Sequence, residues 1–251
     1  MSNTTPPPRH LQIESTYNVR DIGGYTTADG RHTRWRTFLR SDSLHGLSPQ
    51  GQRELLDTGV KTIIDLRRQR EIVKTPNVFA SSTEVDYRHM NLITDTDPDG
   101  YGSPGEGPAW IAGSYKLLLD NRKPQIGAIM AVLADPAAQP ALFHCAGGAD
   151  RTGIIAALLL SLAGVADETI AEDYSLTGPT LFKRYSTEGP PPGWSTDDLR
   201  RAQNLDYLAP VETMQVTLQY LAGTYGGVEA YVREIGLTTA QIEAIRESFV
   251  D

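Results

Sequence analysis

The sequence is poor in the groups that would make several functions possible. It has one cysteine, Cys145, so no disulfide can form within the chain and a reducing compartment is expected. Its five histidines are scattered, with no HExxH or similar spacing, so neither a metal site nor a cofactor is expected. The longest apolar run, Ile154 to Leu160 and a little beyond, is too short to cross a bilayer, so no membrane partner is expected. The opening MSNTTPPPRH lacks a basic segment followed by an apolar one, and a cytoplasmic location follows as the expectation. Positive charge is also short: 23 Lys and Arg stand against 31 Asp and Glu, a net charge of −8. That balance argues against nucleic acid as a partner, which needs a broad basic face, while leaving room for a small, locally positive anion site.

What is present suits one globular domain. Of the 251 residues 39% are hydrophobic, enough for a single well-buried core. Residues 1–13 are expected to be a loose tail, 14–251 a single catalytic domain, and 179–204 a candidate lid. Asp29-Gly30 predicts a tight turn. Ser48 reads as a helix cap with Pro49 at the first position, Leu55 and Leu56 inside and Gly59 as the stop. Val60 to Leu66 and Thr83 to Leu92 read as strands, and 94–108 as a loop. Helices are expected at Trp110 to Leu119 and Pro124 to Leu133, then a strand at Ala141 to His144. Gly153 to Ala163 is apolar on nearly every face, as a helix buried all round would be, and Gly164 closes it. Asp167 is expected to cap the next helix, Pro179 to Asp198 to be irregular, and Leu205 to Leu221 to be mostly helical. Thr238 with Gln241 forms a capping box. Strands alternating with helices predict an α/β fold, a central, mainly parallel sheet flanked by helices.

The stretch Phe143-His144-Cys145-Ala146-Gly147-Gly148-Ala149-Asp150-Arg151-Thr152-Gly153 follows a strand and opens a helix. Five residues separate Cys145 from Arg151. A tight loop of that length can turn its N–H groups inward as a nest for an anion, with Gly147 and Gly148 permitting the angles. The helix start adds its positive end, and Arg151 a planar fork matched to two phosphate oxygens. The same field favours a thiolate at Cys145. Ala146, Gly147, Gly148, Ala149 and Thr152 are therefore expected to bind phosphate, with Thr152 also donating to the sulfur. His144 is expected to hold the loop. Attack of Cys145 on phosphorus would give a phosphocysteine for water to hydrolyse. The leaving oxygen needs a proton, for which Asp150 stands first, Asp65 second, and Asp95, Asp97 and Asp99 third. Asp65 is balanced between that role and a supporting ion pair with Arg67.

This loop resembles the Cys-x5-Arg loop of protein tyrosine phosphatases. More narrowly, the chain resembles the bacterial and fungal tyrosine phosphatase family that includes secreted mycobacterial and listerial enzymes. That family's loop reads approximately HCxxGKDRTG, matched by His144, Cys145, Gly148, Asp150, Arg151, Thr152 and Gly153. Asn18 to Tyr25, Phe38 to Asp42, Ile63 to Arg67, Glu172 to Tyr174 and the region Tyr231 to Ile245 also resemble family blocks. The resemblance implies a three-layer tyrosine phosphatase-like fold, and a hydrolase acting on phosphorylated protein. It departs at Ala149, where the family carries a Lys associated with highly charged lipid headgroups, and this counts against phosphoinositides. Two alternatives stand beside it: a small-molecule phosphatase acting on a nucleotide or sugar phosphate monoester in a biosynthetic pathway, and an inactive phosphate-binding or redox-sensing module. Arg20-Asp21 reads as a structural pair, and Trp110 and Tyr115 as core. The 179–198 segment, with Phe182, Lys183, Arg184, Tyr185 and Trp194, is expected to line the entrance together with the 94–108 loop and to select the leaving group, Lys183 and Arg184 being the residues to test.

Overall fold

A computed structural model describes residues 7–97, 108–189, 196–201, 203 and 208–251. Five strands, β1 (Arg20–Asp21), β2 (Phe38–Ser41), β3 (Thr62–Asp65), β4 (Asp86–His89) and β5 (Ala141–His144), form one sheet in the order β1-β2-β5-β3-β4. All pairings are parallel except β1 with β2. The alternation of side chains across the pleat divides the apolar residues cleanly. Phe38, Ile64, Ala141 and Phe143 join the larger core, while Leu39, Ile63 and Leu142 join a smaller one with Leu55, Val60 and Phe79.

The helices are α1 (Pro49–Leu56), α2 (Gln69–Lys74), α3 (Pro108–Asn121), α4 (Lys123–Leu133), α5 (Asp150–Leu162), α6 (Asp167–Ser175), α7 (Thr177–Glu188), α8 (Thr196–Arg201), α9 (Val211–Tyr225), α10 (Val228–Glu234) and α11 (Thr239–Phe249). The hydrophobic helix α5 packs against β2 and β5 on one side and against α6, α10 and α11 on the others, which is why it is apolar all round. Ser48 caps α1 through Gly51 N–H, and Thr238 and Gln241 form the expected capping box on α11. Among the described residues no helix is long and apolar enough to cross a membrane.

Several elements differ from expectation. Residues 7–13, assigned to a loose tail, are held by backbone and side-chain bonds: Leu11 N–H donates to Val19 O, and Arg9 donates to Asp21 O and Gly23 O. Asp167 does not cap α6; Ala166 takes that place, and Asp167 is the first helical residue, its charge at the positive helix end. The 179–198 segment is not irregular at its start, because α7 runs through it to Glu188. Pro179 marks no break: it lies in the first turn of α7, where no intrahelical N–H bond is required. The helix expected from Leu205 begins at Val211, behind Pro210. Residues 98–107 and 190–195, with Asp99 and Trp194, lie outside the described residues.

The register puts Ser41, Asp65 and His144 side by side at the carboxyl ends of β2, β3 and β5. In open parallel sheets this edge is where ligands bind. The loop from Cys145 to Ala149 leaves the sheet there and turns directly into α5.

Candidate active site

Each loop carbonyl has a donor, and three of them are held by side chains from distant segments. His144 Nδ1 is 3.1 Å from Cys145 O. Ala146 O accepts from Ser43 N–H at 3.1 Å and from Arg184 Nη1 at 2.8 Å. Gly147 O accepts from Asn18 Nδ2 at 3.2 Å, and Gly148 O from Arg40 Nη2 at 2.8 Å. Ala149 O takes Gly153 N–H, the first bond of α5. The N–H groups of residues 146–152 donate to no protein acceptor among the described residues. A loop with its carbonyls engaged and its amides unspent is an anion nest at a helix N-terminus. Gly148 has φ +70°, and a Cβ there would lie 2.6 Å from Ser41 O and 2.7 Å from Asn18 Nδ2, so only glycine lets the loop close.

His144 is oriented by a buried network. Asn77 Nδ2 donates to His144 Nε2 at 2.9 Å and to Asp65 at 3.2 Å, so the ring nitrogen facing Asn77 is the acceptor and Nδ1–H donates to Cys145 O. Burial pushes the imidazole below its usual pKa against the pull of Asp65, in keeping with a neutral ring. Asp65 also accepts from Arg67 and from the Tyr87 hydroxyl. Burial alone would raise Asp65, but the Arg67 guanidinium beside it holds it below the ordinary carboxylate range. A fully buried carboxylate paired with Arg67 in this way counts against Asp65 as a proton donor at neutral pH, and its bond from Asn77 links it to the His144 network.

A second network underlies the loop from the other side. Asp173 is buried between Arg20 and Arg40, at 3.3 and 2.6 Å. Arg20 also donates to Asn18 Oδ1 and to Thr177 Oγ1, so the two side chains that grip Gly147 and Gly148 are themselves fixed by one carboxylate. Arg20 thus pairs with Asp173 on α6 and not with its neighbour Asp21, which caps Gly23 N–H and Arg36 N–H. Burial would raise Asp173, yet the two guanidinium groups bring it down to about 2. A depressed carboxylate contributes stability above its unfolded pKa of about 4 and loses it as pH falls towards 2. Asp173→Asn leaves two buried cations facing each other, and is expected to cost about 3–5 kcal/mol and to flatten the stability profile in that acid window. Urea unfolding between pH 3 and 7 measures both; an unchanged midpoint at neutral pH would remove Asp173 from the loop's support.

Arg151 points across the loop to α2. Its Nη1 and Nη2 lie 2.6 and 3.2 Å from the two oxygens of Glu71, a bidentate pair. Burial works against the Arg151 charge, but Cys145 and Glu71 outweigh it and raise the guanidinium above its ordinary range. Glu71 went unnoticed in the sequence because it lies 80 positions away on a short polar helix. Its carboxylate also accepts Arg68 N–H at 2.7 Å, and no short sequence signal pointed to either contact.

Asp150 is the first residue of α5 and is exposed at the loop mouth, with Oδ1 accepting from the Tyr115 hydroxyl at 2.7 Å. Asp95 accepts from Arg70 N–H in α2, and Asp97 is bound by Thr94 and Arg122, so both are engaged in tying their loop to its neighbours. Thr152 does not donate to the sulfur: because α5 has already begun at Asp150, its hydroxyl lies on the buried face of the first turn and has no partner among the described residues. Lys183 and Arg184 do not act as a pair, since successive helical residues face different ways. Arg184 grips Ala146 O, whereas Lys183 lines a separate groove with Gln12 and Tyr17. A cavity of about 450 Å³ beside the loop is lined by His45, Lys74, Ala146, Gly147, Arg184 and Tyr185, among others.

This construction, a cysteine loop on a parallel sheet with an arginine at its helix end, is that of the cysteine-based phosphatases. The chain belongs to the tyrosine phosphatase family, whose model it matches over residues 11–251. It is similar to a tyrosine-protein phosphatase of Nostoc commune, 29% identical over 83% of this chain and 72% of that one. It is also similar to the triple specificity protein phosphatase PtpB of Mycobacterium tuberculosis, 23% identical over 94% of this chain and 97% of that one.

Proposed function

We propose that the chain hydrolyses phosphate monoesters through a phosphocysteine, without a metal ion, and that phosphotyrosine in proteins is its substrate. That every carbonyl from Cys145 to Ala149 is engaged while the loop amides donate to no described acceptor carries this reading, since it leaves those amides free for phosphoryl oxygens. Arg151, fixed in plane by Glu71, clamps two of those oxygens and balances the charge that spreads over them in the transition state. The Cys145 sulfur attacks phosphorus in line with the leaving oxygen. Asp150, at the open mouth, gives that oxygen its proton and then takes one from the water that splits the S–P bond. The positive field comes from Arg151 and the helix start. Among the described residues no group of three His, Cys, Asp or Glu side chains is placed to hold a metal.

Tyr185 supports an aryl leaving group. It lines the cavity beside Ala146 and Gly147, and burial with the nearby charge of Asp150 pushes its hydroxyl to about 12, so it stays a neutral aromatic wall. Resemblance to the mycobacterial triple specificity enzyme extends along nearly the whole chain, but Ala149 is 5% exposed at the helix cap and brings no cation to a multiply charged headgroup. A panel assay in excess chelator tests the substrate class. A phosphotyrosine peptide is expected to be turned over faster than phosphoinositides or nucleoside monophosphates. A preference for a nucleotide or sugar phosphate would replace the protein substrate, and inactivity on all of them, or restoration by one divalent ion, would defeat the mechanism.

The acid role has its own test. Asp150→Asn is expected to slow an alkyl phosphate by about 10²-fold or more and an activated aryl phosphate far less, because only the poor leaving group needs the proton. An equal loss on both would make Asp150 an orienting residue.

A further inference from the structure

Tyr115 on α3 was expected to be core, and by burial both it and Tyr174 on α6 are: each is 1% exposed. Their hydroxyls, however, meet at 2.7 Å, and Tyr115 continues the chain to Asp150 Oδ1, also at 2.7 Å. The rings sit edge to face, with centroids 6.2 Å apart. Room for Tyr174 is made by the last glycine of the loop stretch. A Cβ on Gly153 would lie 2.9 Å from Tyr174 Cδ2 and 3.1 Å from Cε2.

We propose that Tyr174 and Tyr115 form a one-way hydrogen-bond chain that positions Asp150 and decides which of its oxygens carries the catalytic proton. This rests on the reading of Asp150 as the acid. The direction of the chain follows from burial. The Tyr174 hydroxyl has Tyr115 as its partner and no other among the described residues. If Tyr115 donated to Tyr174, the Tyr174 hydrogen would be buried without an acceptor, and buried donors of that kind are costly. Tyr174 therefore donates to Tyr115, and Tyr115 donates to Asp150 Oδ1. That oxygen is an acceptor whether Asp150 is ionised or protonated. The proton is then confined to Oδ2, the oxygen outside the tyrosine chain. A carboxylic acid with one oxygen tied down has its donor aimed, whereas a free one would divide its proton between two oxygens and several rotamers. Both tyrosines stay protonated, since burial and then the Asp150 charge raise the Tyr115 hydroxyl well above its usual value and push Tyr174 the same way. Neither touches the phosphoryl group; they are positioning residues.

The experiment compares Tyr115→Phe and Tyr174→Phe with the parent on an alkyl phosphate and an activated aryl phosphate, in wild-type and Asp150→Asn backgrounds. For Tyr115→Phe, kcat on the alkyl phosphate is expected to fall about tenfold and on the aryl phosphate less than about twofold, with inorganic phosphate binding unchanged. Tyr174→Phe, which removes the donor that holds the Tyr115 hydroxyl in place, should show the same split at about threefold. With Asp150→Asn already in place neither substitution should cost more. Losses equal on both substrates, no loss on either, or losses that persist beside Asp150→Asn each overturn the proposal. Should Tyr115→Phe fail to fold, Tyr174→Phe decides alone by the same criteria. An Asp150→Asn enzyme that slows both substrates alike takes down the acid reading as well; one that shows the split while both tyrosine variants do not takes down this inference alone.

Discussion

Cys145→Ser is expected to lose turnover on an activated aryl phosphate by at least about 10⁴-fold while still binding inorganic phosphate within a few-fold of the parent. A thiolate attacks as it stands; a serine hydroxyl must first give up a proton, and nothing beside it is free to take one. His144 is the obvious base by sequence, one residue away. Its Nδ1 is spent on Cys145 O, its Nε2 on Asn77, and burial keeps the ring neutral within that network. Asp150 is held by Tyr115 on the leaving-group side. The phosphate nest depends on backbone amides and Arg151, which the substitution does not touch, so binding and chemistry should separate. Steady-state hydrolysis together with phosphate titration measures both. A serine enzyme turning over near the parental rate would end the case for a phosphocysteine.

The loop and its surroundings differ in how far they could be read beforehand. Cys145, Arg151 and the intervening glycines are contiguous, and their chemistry depends on spacing along one segment, so it is visible in the chain. The strand at Ala141–His144 and the capped helix α1 are legible for a similar reason: their signals are short and local. What holds the loop's carbonyls is contributed by Asn18, Arg40 and Arg184, from 38 to 129 positions away, and only the tertiary fold brings them together. The likeness of Asn18 to Tyr25 and of Phe38 to Asp42 to family blocks pointed to Asn18 and Arg40 without saying what they do. Glu71 and the two tyrosines were hidden by composition: a polar helix reads as solvated, and a buried aromatic reads as core. Helix α7 was hidden by the Pro190-Pro191-Pro192-Gly193 run that follows it, which made the whole stretch from Pro179 read as irregular.

Arg151→Lys keeps the charge and is nonetheless expected to lower kcat/KM by about 10³-fold, with a smaller loss in phosphate affinity. The reason is geometric. Arg151 meets Glu71 through both terminal nitrogens, and that fork fixes the plane of the guanidinium above the loop. A plane so fixed can offer two parallel N–H groups to two phosphoryl oxygens as charge moves onto them. An ammonium has no plane. Drawn to Glu71, it would sit with one contact to the carboxylate and turn its remaining hydrogens wherever water or substrate allowed. It would still attract a dianion at rest, so binding suffers less than the step in which the three oxygens flatten around phosphorus. Measuring kcat/KM beside the dissociation constant for inorganic phosphate separates these effects. If Arg151→Lys matched the parent in kcat/KM, positive charge alone would suffice at this position. If binding fell as much as turnover, Arg151 would hold the ground state and the transition state alike, and stabilisation of the transferring group would have to come from the loop amides.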